Sequence, residues 1–333
     1  MLLRCFIAGL ALVAAPALAD PPALPALHAD AKHTSVSGLS AGAYLAVQLQ
    51  VAYSATIVGA GIVAGGPYDC AAGNAAFVEL CMGQLPFFMP GASGFVGTAE
   101  AWAIAHEIDA LSHLRHRRLY VFSGGADSTV RRAAVDTAVE VFRRLGVDAA
   151  NIAYVHDIPA GHALIAPDAT HGCGATESPF VNRCDVAGAP YDQAKAILTQ
   201  IYGTLQPPAA SPPTPVPFDQ RPFGSAAALM ADAGRVHVPA ACASAGAHCR
   251  VHVALHGCMQ AEESVGDAFH AGAGFNRWAE TNRLIVLYPQ VNRSASNPFG
   301  CWDWWGYSSV DYARKSAPQM KAIMAMVKRL TQR

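Results

Sequence analysis

The sequence predicts an α/β fold, a mostly parallel sheet flanked by helices. Short runs rich in Val, Ile and Gly alternate with segments whose apolar residues fall at helical spacing. Residues with catalytic chemistry follow the runs read as strands, and open α/β sheets place their sites beyond strand ends. A Gly-x-Ser-x-Gly stretch, Gly38-Leu39-Ser40-Ala41-Gly42, lies between a strand-like and a helix-like segment.

The bulk numbers set the class. Of 333 residues, 52% are hydrophobic and 14% charged, and the formal net charge is -1. This is a core-rich globular chain, with no electrostatic case for a nucleic-acid partner. The start, "MLLRCFIAGLALVAAPALAD", carries Arg4, an apolar run and the small-x-small site Ala17-Leu18-Ala19. Residues 1–19 are therefore expected to be a Sec signal peptide, and the chain to be secreted or periplasmic. No later segment is long enough to cross a membrane, so no membrane partner is expected. The oligomeric state is not set by the sequence. Cleavage also removes Cys5 and leaves an even set of cysteines, which argues for disulfides in an exported chain. Close spacings favour Cys70–Cys81, Cys173–Cys184 and Cys242–Cys249, which leaves Cys258–Cys301.

In order, "HTSVSGLS" reads as a strand with Thr34 and Val36 alternating with small polar residues, and "AGAYLAVQLQVAYS" as a helix. Strand, tight turn with Ser40 at the apex, then helix is the order of a nucleophile elbow, in which glycines two residues either side relieve crowding. No other serine has glycines at that spacing. Residues 55–66 read as a second strand, 99–111 as a helix, Leu119–Phe122 as a strand and 135–146 as an amphipathic helix ended by Gly146. "NIAYVHDIPAGHALI" gives a short strand and puts His162 in a glycine-flanked loop; 191–203 is a further helix. Ser40, Asp127 and His162 each follow a predicted strand, in the chain order Ser, Asp, His of α/β-hydrolases. Asp127 has an alternative role as a turn residue after Gly124-Gly125. His162 is preferred as the base over His171, which sits beside a probable disulfide with no strand before it, and over His156, which reads as part of the preceding strand.

Residues 206–217, "QPPAASPPTPVP", exclude helix and central strand. The simple reading is a domain boundary, but the second half argues otherwise. "CRVHVALHGCMQ" is a strand running into His256-Gly257-Cys258. "FNRWAETNRLIVLYPQ" is a helix and the strand Leu284–Tyr288. A closing helix follows, broken or shifted at Pro318. In α/β-hydrolases a His-Gly segment after an early strand precedes the nucleophile; here it follows the histidine. That order is expected of a circular permutation, with 206–217 joining the former termini over the surface of a single domain, 20–333.

The pieces "SGLSAGAY", "AGGPYDCA", "GGADSTV", "AGHAL", "LHGCMQ" and "GCWDWWGY" together span nearly all of the mature chain. They resemble secreted polyhydroxybutyrate (PHB) depolymerases of the single-domain, circularly permuted α/β-hydrolase type. "LHGC", "LIVLYPQ" and "CWDWW" also resemble secreted feruloyl and acetylxylan esterases, so an esterase for small or carbohydrate-linked esters is the alternative. The resemblance implies a Ser40–Asp127–His162 triad, oxyanion donors at the N–H groups of Ala41 and Cys258, a shallow cleft for a polyester strand and no cofactor. Trp302, Trp304, Trp305 and Tyr307 are candidate substrate contacts. Four aromatics in six positions cannot all point inward, and Trp304 or Trp305 is the favoured contact. His252, His256 and Cys258 would share one strand face, but their spacing matches no zinc signature, and paired cysteines are the simpler reading.

Overall fold

The computed structural model describes residues 20–85, 89–244 and 246–332; the expected signal peptide, residues 1–19, lies outside them. The chain begins with β1 (Thr34–Leu39), α1 (Ala41–Ala52), β2 (Ile57–Val63), the single-turn α2 (Val78–Cys81) and α3 (Ala92–Ile104). It continues with β3 (Arg118–Phe122), α4 (Arg132–Arg144) and β4 (Ile152–Val155). Five two- or three-residue strands follow. β5 (Leu164–Ile165), β6 (His171–Gly172) and β7 (Val181–Arg183) form a small parallel sheet, and β8 (Asp185–Val186) pairs with β9 (Ala189–Pro190). Then come α5 (Gln193–Tyr202), β10 (Val216–Asp219), β11 (Ala233–His237) and β12 (Arg250–Leu255). The chain closes with α6 (Glu262–Val265), α7 (Ala268–Gly272), α8 (Phe275–Thr281), β13 (Leu284–Tyr288) and α9 (Pro318–Thr331).

Eight strands form one sheet in the order β10-β11-β13-β12-β1-β2-β3-β4. β12, β13 and β1 to β4 run parallel, while β11 runs antiparallel to both its neighbours. The expected α/β architecture with a mostly parallel sheet is what the chain adopts. β1 lies at the centre, paired with β12 and β2, and all six of its residues are buried. α1 is buried along its whole length, as its nearly unbroken apolar sequence requires.

Several element bounds differ from the sequence reading. The helix expected at 99–111 is α3, which starts seven residues earlier and stops at Ile104. Gly94 and Gly97 weaken the helical pattern of its first turns, and His106, at φ 59°, turns the chain out of helix after it. α5 starts at Gln193 because the Asp192 side chain accepts from the Lys195 N–H (2.9 Å), and it stops before Gly203 at φ 84°. β4 ends at Val155, so His156 lies beyond the strand rather than in it. Pro318 starts α9 at its first position, where a missing N–H costs nothing. Residues 206–215 form no strand or helix, and Pro217 lies in β10, the edge strand, where proline is tolerated.

All four expected disulfides are present: Cys70–Cys81, Cys173–Cys184, Cys242–Cys249 and Cys258–Cys301. The two ends of the described chain are stitched together, since the Leu27 and Ala29 N–H groups both donate to the Leu330 carbonyl. No described helix is long and apolar enough to cross a membrane.

Candidate active site

Ser40 stands between the last residue of β1 and the first of α1, with φ 55° and ψ -123°. A non-glycine residue there costs about 1–3 kcal/mol and persists only where its surroundings enforce it. The flanking glycines are the enforcement. A Cβ on Gly38 would lie 2.3 Å from the Gly42 carbonyl carbon, and one on Gly42 would lie 2.4 Å from the Leu255 carbonyl oxygen. The elbow closes only because neither atom exists. Ser40 is half-buried, and its N–H donates to the Val63 carbonyl at the end of β2 (2.9 Å). No described protein group hydrogen-bonds its hydroxyl.

Asp127 follows β3 in the turn opened by Gly124-Gly125. Its Oδ1 accepts from the Thr129 and Val130 N–H groups (2.8 and 3.0 Å), and its Oδ2 lies 2.8 Å from His162 Nδ1. The two side chains are 1% and 7% exposed. One oxygen of Asp127 thus holds the turn and the other holds the imidazole. His162 lies in the loop after β4, and the Thr176 hydroxyl accepts from its backbone N–H (2.9 Å). The rival His171 is not at this carboxylate; its Nδ1 lies 4.0 Å from exposed Glu177. His156 is stacked edge-on to Tyr154.

β12, paired with β1, ends at Leu255 and runs on into His256-Gly257-Cys258. A Cβ on Gly257 would lie 3.5 Å from the Ser40 Cβ, so this segment passes directly over the serine. Among the described residues, neither the Ala41 nor the Cys258 N–H is taken by a protein acceptor. The Gly257 N–H is taken, by Gln260 Oε1 at 2.8 Å. Cys258 is bonded to Cys301, which ties this loop to the aromatic cluster.

That cluster departs from expectation. Trp302 is 0% exposed and packs on His256, and Trp304 is 4% exposed and stacks on Tyr44 of α1 at 4.1 Å. Neither has surface to offer a substrate, because both fill the space behind the elbow helix. Trp305 and Tyr307 are half-buried, and Tyr307 spends its hydroxyl on the Cys301 carbonyl (2.6 Å). Trp305 is the tryptophan of the pair that keeps an accessible face, set edge-on to Trp304. Asp303, buried at 2% exposure, holds the bend. Its carboxylate accepts from the N–H groups of Trp305, Gly306, Tyr307 and Ser308. The sequence reading missed Asp303, Tyr44 and Gln260. The signals available were an acidic residue starting an aromatic bend, an aromatic one turn into the elbow helix, and a Gln three residues after Gly257.

His252 in β12 and His256 just beyond its end are both fully buried. His252 lies between Ser35 (Nδ1, 2.7 Å) and Ser37 (Nε2, 2.8 Å), and burial pushes its pKa down to about 3. Burial likewise pushes His256 down to about 4. No grouping of three or more His, Cys, Asp or Glu suited to a metal occurs among the described residues. Five clefts of about 270–550 Å³ are lined by residues other than Ser40, Asp127 and His162.

No family model matches the chain. Relatives do. It is 42% identical over 314 residues to a poly(3-hydroxybutyrate) depolymerase of Delftia acidovorans, covering 92% of this chain and 61% of that protein. It is 34% identical over 328 residues to a polyhydroxybutyrate depolymerase of Talaromyces funiculosus, covering 92% of each. Among solved structures, the PHB depolymerase from Penicillium funiculosum superposes with a TM-score of 0.83 at 32% identity, over 93% of this chain and 98% of that one. A PHB depolymerase complexed with an R3HB trimer matches with the same TM-score and coverage. With 34% identity over 92% of both chains to the second relative, and with an elbow serine and a carboxylate-bound histidine at one edge of the same sheet, the chain belongs to the polyhydroxybutyrate depolymerase family.

Proposed function

We propose that the chain is a serine esterase that hydrolyses poly(3-hydroxybutyrate)-type polyester to monomers or short oligomers. One observation carries this reading. A buried His162–Asp127 pair, 2.8 Å apart, sits beyond the C-terminal ends of β4 and β3, at the same edge of the parallel sheet where β1 delivers Ser40 in a strained elbow. The relatives that are polyhydroxybutyrate depolymerases, one of them complexed with an R3HB trimer, support the same reading.

In the proposed reaction, Ser40 Oγ attacks the ester carbonyl as His162 Nε2 takes its proton. The Nδ1–H bond to Asp127 fixes the tautomer and stabilises the imidazolium. The Ala41 and Cys258 N–H groups face the developing oxyanion, a role worth roughly 10²–10³ in rate per donor. His162 returns the proton to the leaving alkoxide. Water, deprotonated by the same histidine, then opens the acyl-enzyme and releases the hydroxyacid. Trp305 is the proposed apolar contact for the polyester, with Tyr307 bracing it from behind at 4.9 Å between ring centroids.

The same reading covers the chain's organisation. Followed from β10 through β13 and then β1 through β4, the sheet order becomes 1-2-4-3-5-6-7-8, with the His-Gly strand ahead of the serine strand. That order supports one α/β-hydrolase domain, residues 20–333, whose chain is circularly permuted and whose 206–217 segment bridges former termini. Four disulfides suit an oxidising compartment, so we place the mature protein outside the cytosol after removal of residues 1–19.

The test is the turbidity of an amorphous polyhydroxybutyrate suspension, followed with the mature protein and with Ser40→Ala. Clearing by the parent alone is expected. Equal clearing by both removes the serine mechanism. If the parent clears nothing yet cleaves a soluble p-nitrophenyl ester, the substrate is a small ester.

A further inference from the structure

We infer that His256 and Gln260 act as positioning residues that together fix the orientation of the Cys258 N–H, the proposed second oxyanion donor. The inference rests on the serine-esterase reading and deepens it. A peptide unit is planar and trans, so its C=O and N–H point in opposite directions. Fixing one end of the Gly257–Cys258 unit therefore aims the other. His256 Nδ1 lies 2.8 Å from the Gly257 carbonyl oxygen, which is the carbonyl of that same peptide unit. Since a carbonyl only accepts, Nδ1 carries the proton. Nε2 is then the acceptor, and it faces the Val291 N–H at 3.4 Å. The tautomer is thus consistent on both sides of the ring.

Gln260 takes the preceding peptide unit. Its Oε1 accepts from the Gly257 N–H at 2.8 Å, and its Nε2 donates to the Pro179 and Phe180 carbonyls at 2.9 and 3.2 Å. Both side chains are wholly buried. With one hydrogen bond on each adjoining peptide, the loop has no rotational freedom left at the Gly257–Cys258 bond. Donation into the carbonyl also polarises the peptide and strengthens its N–H as a donor.

The clamp reaches the base as well. The Phe180 carbonyl that Gln260 touches also accepts from the Leu164 N–H, two residues beyond His162, and the Cys173 carbonyl accepts from the Gly161 N–H. Residues 173–182 thus form one scaffold behind both the general base and the oxyanion loop. A buried histidine held only to fill space would need no partner on the peptide that crosses the serine.

The experiment uses the mature protein and two pairs of variants, with p-nitrophenyl butyrate as substrate and an alkylboronic acid as mimic of the tetrahedral state. His256→Leu removes the donor at similar volume, whereas His256→Asn keeps an N–H near the Nδ1 position. Gln260→Leu removes both bonds, whereas Gln260→Glu keeps the acceptor for Gly257. We expect the Leu variants to lose on the order of 10–100-fold in kcat with KM within about twofold, a fraction of what deleting a donor costs. Boronate affinity should fall in step with kcat. Asn and Glu should recover most of that loss. Leu variants with parental kcat overturn the inference, as do variants whose kcat and KM worsen together with Tm and are not rescued by Asn or Glu. A parent inactive on both soluble and polymeric ester fails the esterase reading itself, and this inference with it.

Discussion

The chain holds two serine–histidine neighbourhoods along one strand, and only one of them has a carboxylate on its histidine. At the start of β1, Ser35 and Ser37 bracket His252, with hydrogen bonds as short as any at the active site. At the end of β1 stands Ser40, on the same edge of the sheet as the loop that carries His162. The first histidine is sealed at 0% exposure, has no carboxylate and is held neutral by burial, which pushes its pKa to about 3. The second has Asp127 on Nδ1, leaving Nε2 for proton transfer. Residue identity is the same in both places. Position along a parallel strand, and the acid on the far nitrogen, make the difference.

Four measurements break or sharpen that contrast. Asp127→Asn should lower kcat about 10⁴-fold with little change in KM, because the wrong imidazole tautomer is then stabilised; steady-state kinetics on a soluble ester reads this. Trp305→Ala should slow polymer clearing on the order of tenfold, the loss of about one aromatic contact, while soluble-ester turnover changes less than twofold. Comparable losses on both substrates would place Trp305 in the catalytic framework instead.

The sealed site should show itself in stability rather than rate. His252 and His256 have folded pKa values of about 3 and 4, below the ordinary value of 6.5. Between those limits the unfolded chain binds more protons than the folded one. Stability is therefore full above about pH 6.5 and lost as pH falls toward 4, by about 1.4 kcal/mol per pH unit for each histidine. His252→Gln should flatten the acid limb of the urea-unfolding free energy by about one such increment relative to the parent. Ser35→Ala is the smallest effect in rate. It should leave kcat within about twofold and cost about 1–2 kcal/mol, because it strands a buried histidine nitrogen. A large fall in kcat with Ser35→Ala would mean that β1 carries its nucleophile at the wrong end.

Much of this was legible in the chain. The elbow was, because strained turns demand glycine at fixed offsets, and Gly38 and Gly42 supply it. Asp127 and His162 were, because each follows an apolar run by a few residues. The cysteine pairs were, since three close within eleven residues or fewer. What escaped was set by tertiary contact. Trp302 and Trp304 are ordinary surface-aromatic candidates until His256 and Tyr44 are seen to cover them. Asp303 and Gln260 act through backbone N–H and C=O groups, which leave no trace in side-chain pattern. The start of α3 was hidden by two glycines that its packing tolerates.

The pairing of β1 with β12 has a consequence in time. Ser35 and His252 are 217 residues apart, and Leu27 and Ala29 wait for Leu330. β1, which leads to Ser40, is made long before β12, which leads to Cys258, and α9, which pins the segment ahead of β1. Contacts this distant in sequence slow folding. A ribosome-bound or partly threaded chain therefore holds the Ser40 elbow before the His256-Gly257-Cys258 segment that crosses it has joined the sheet.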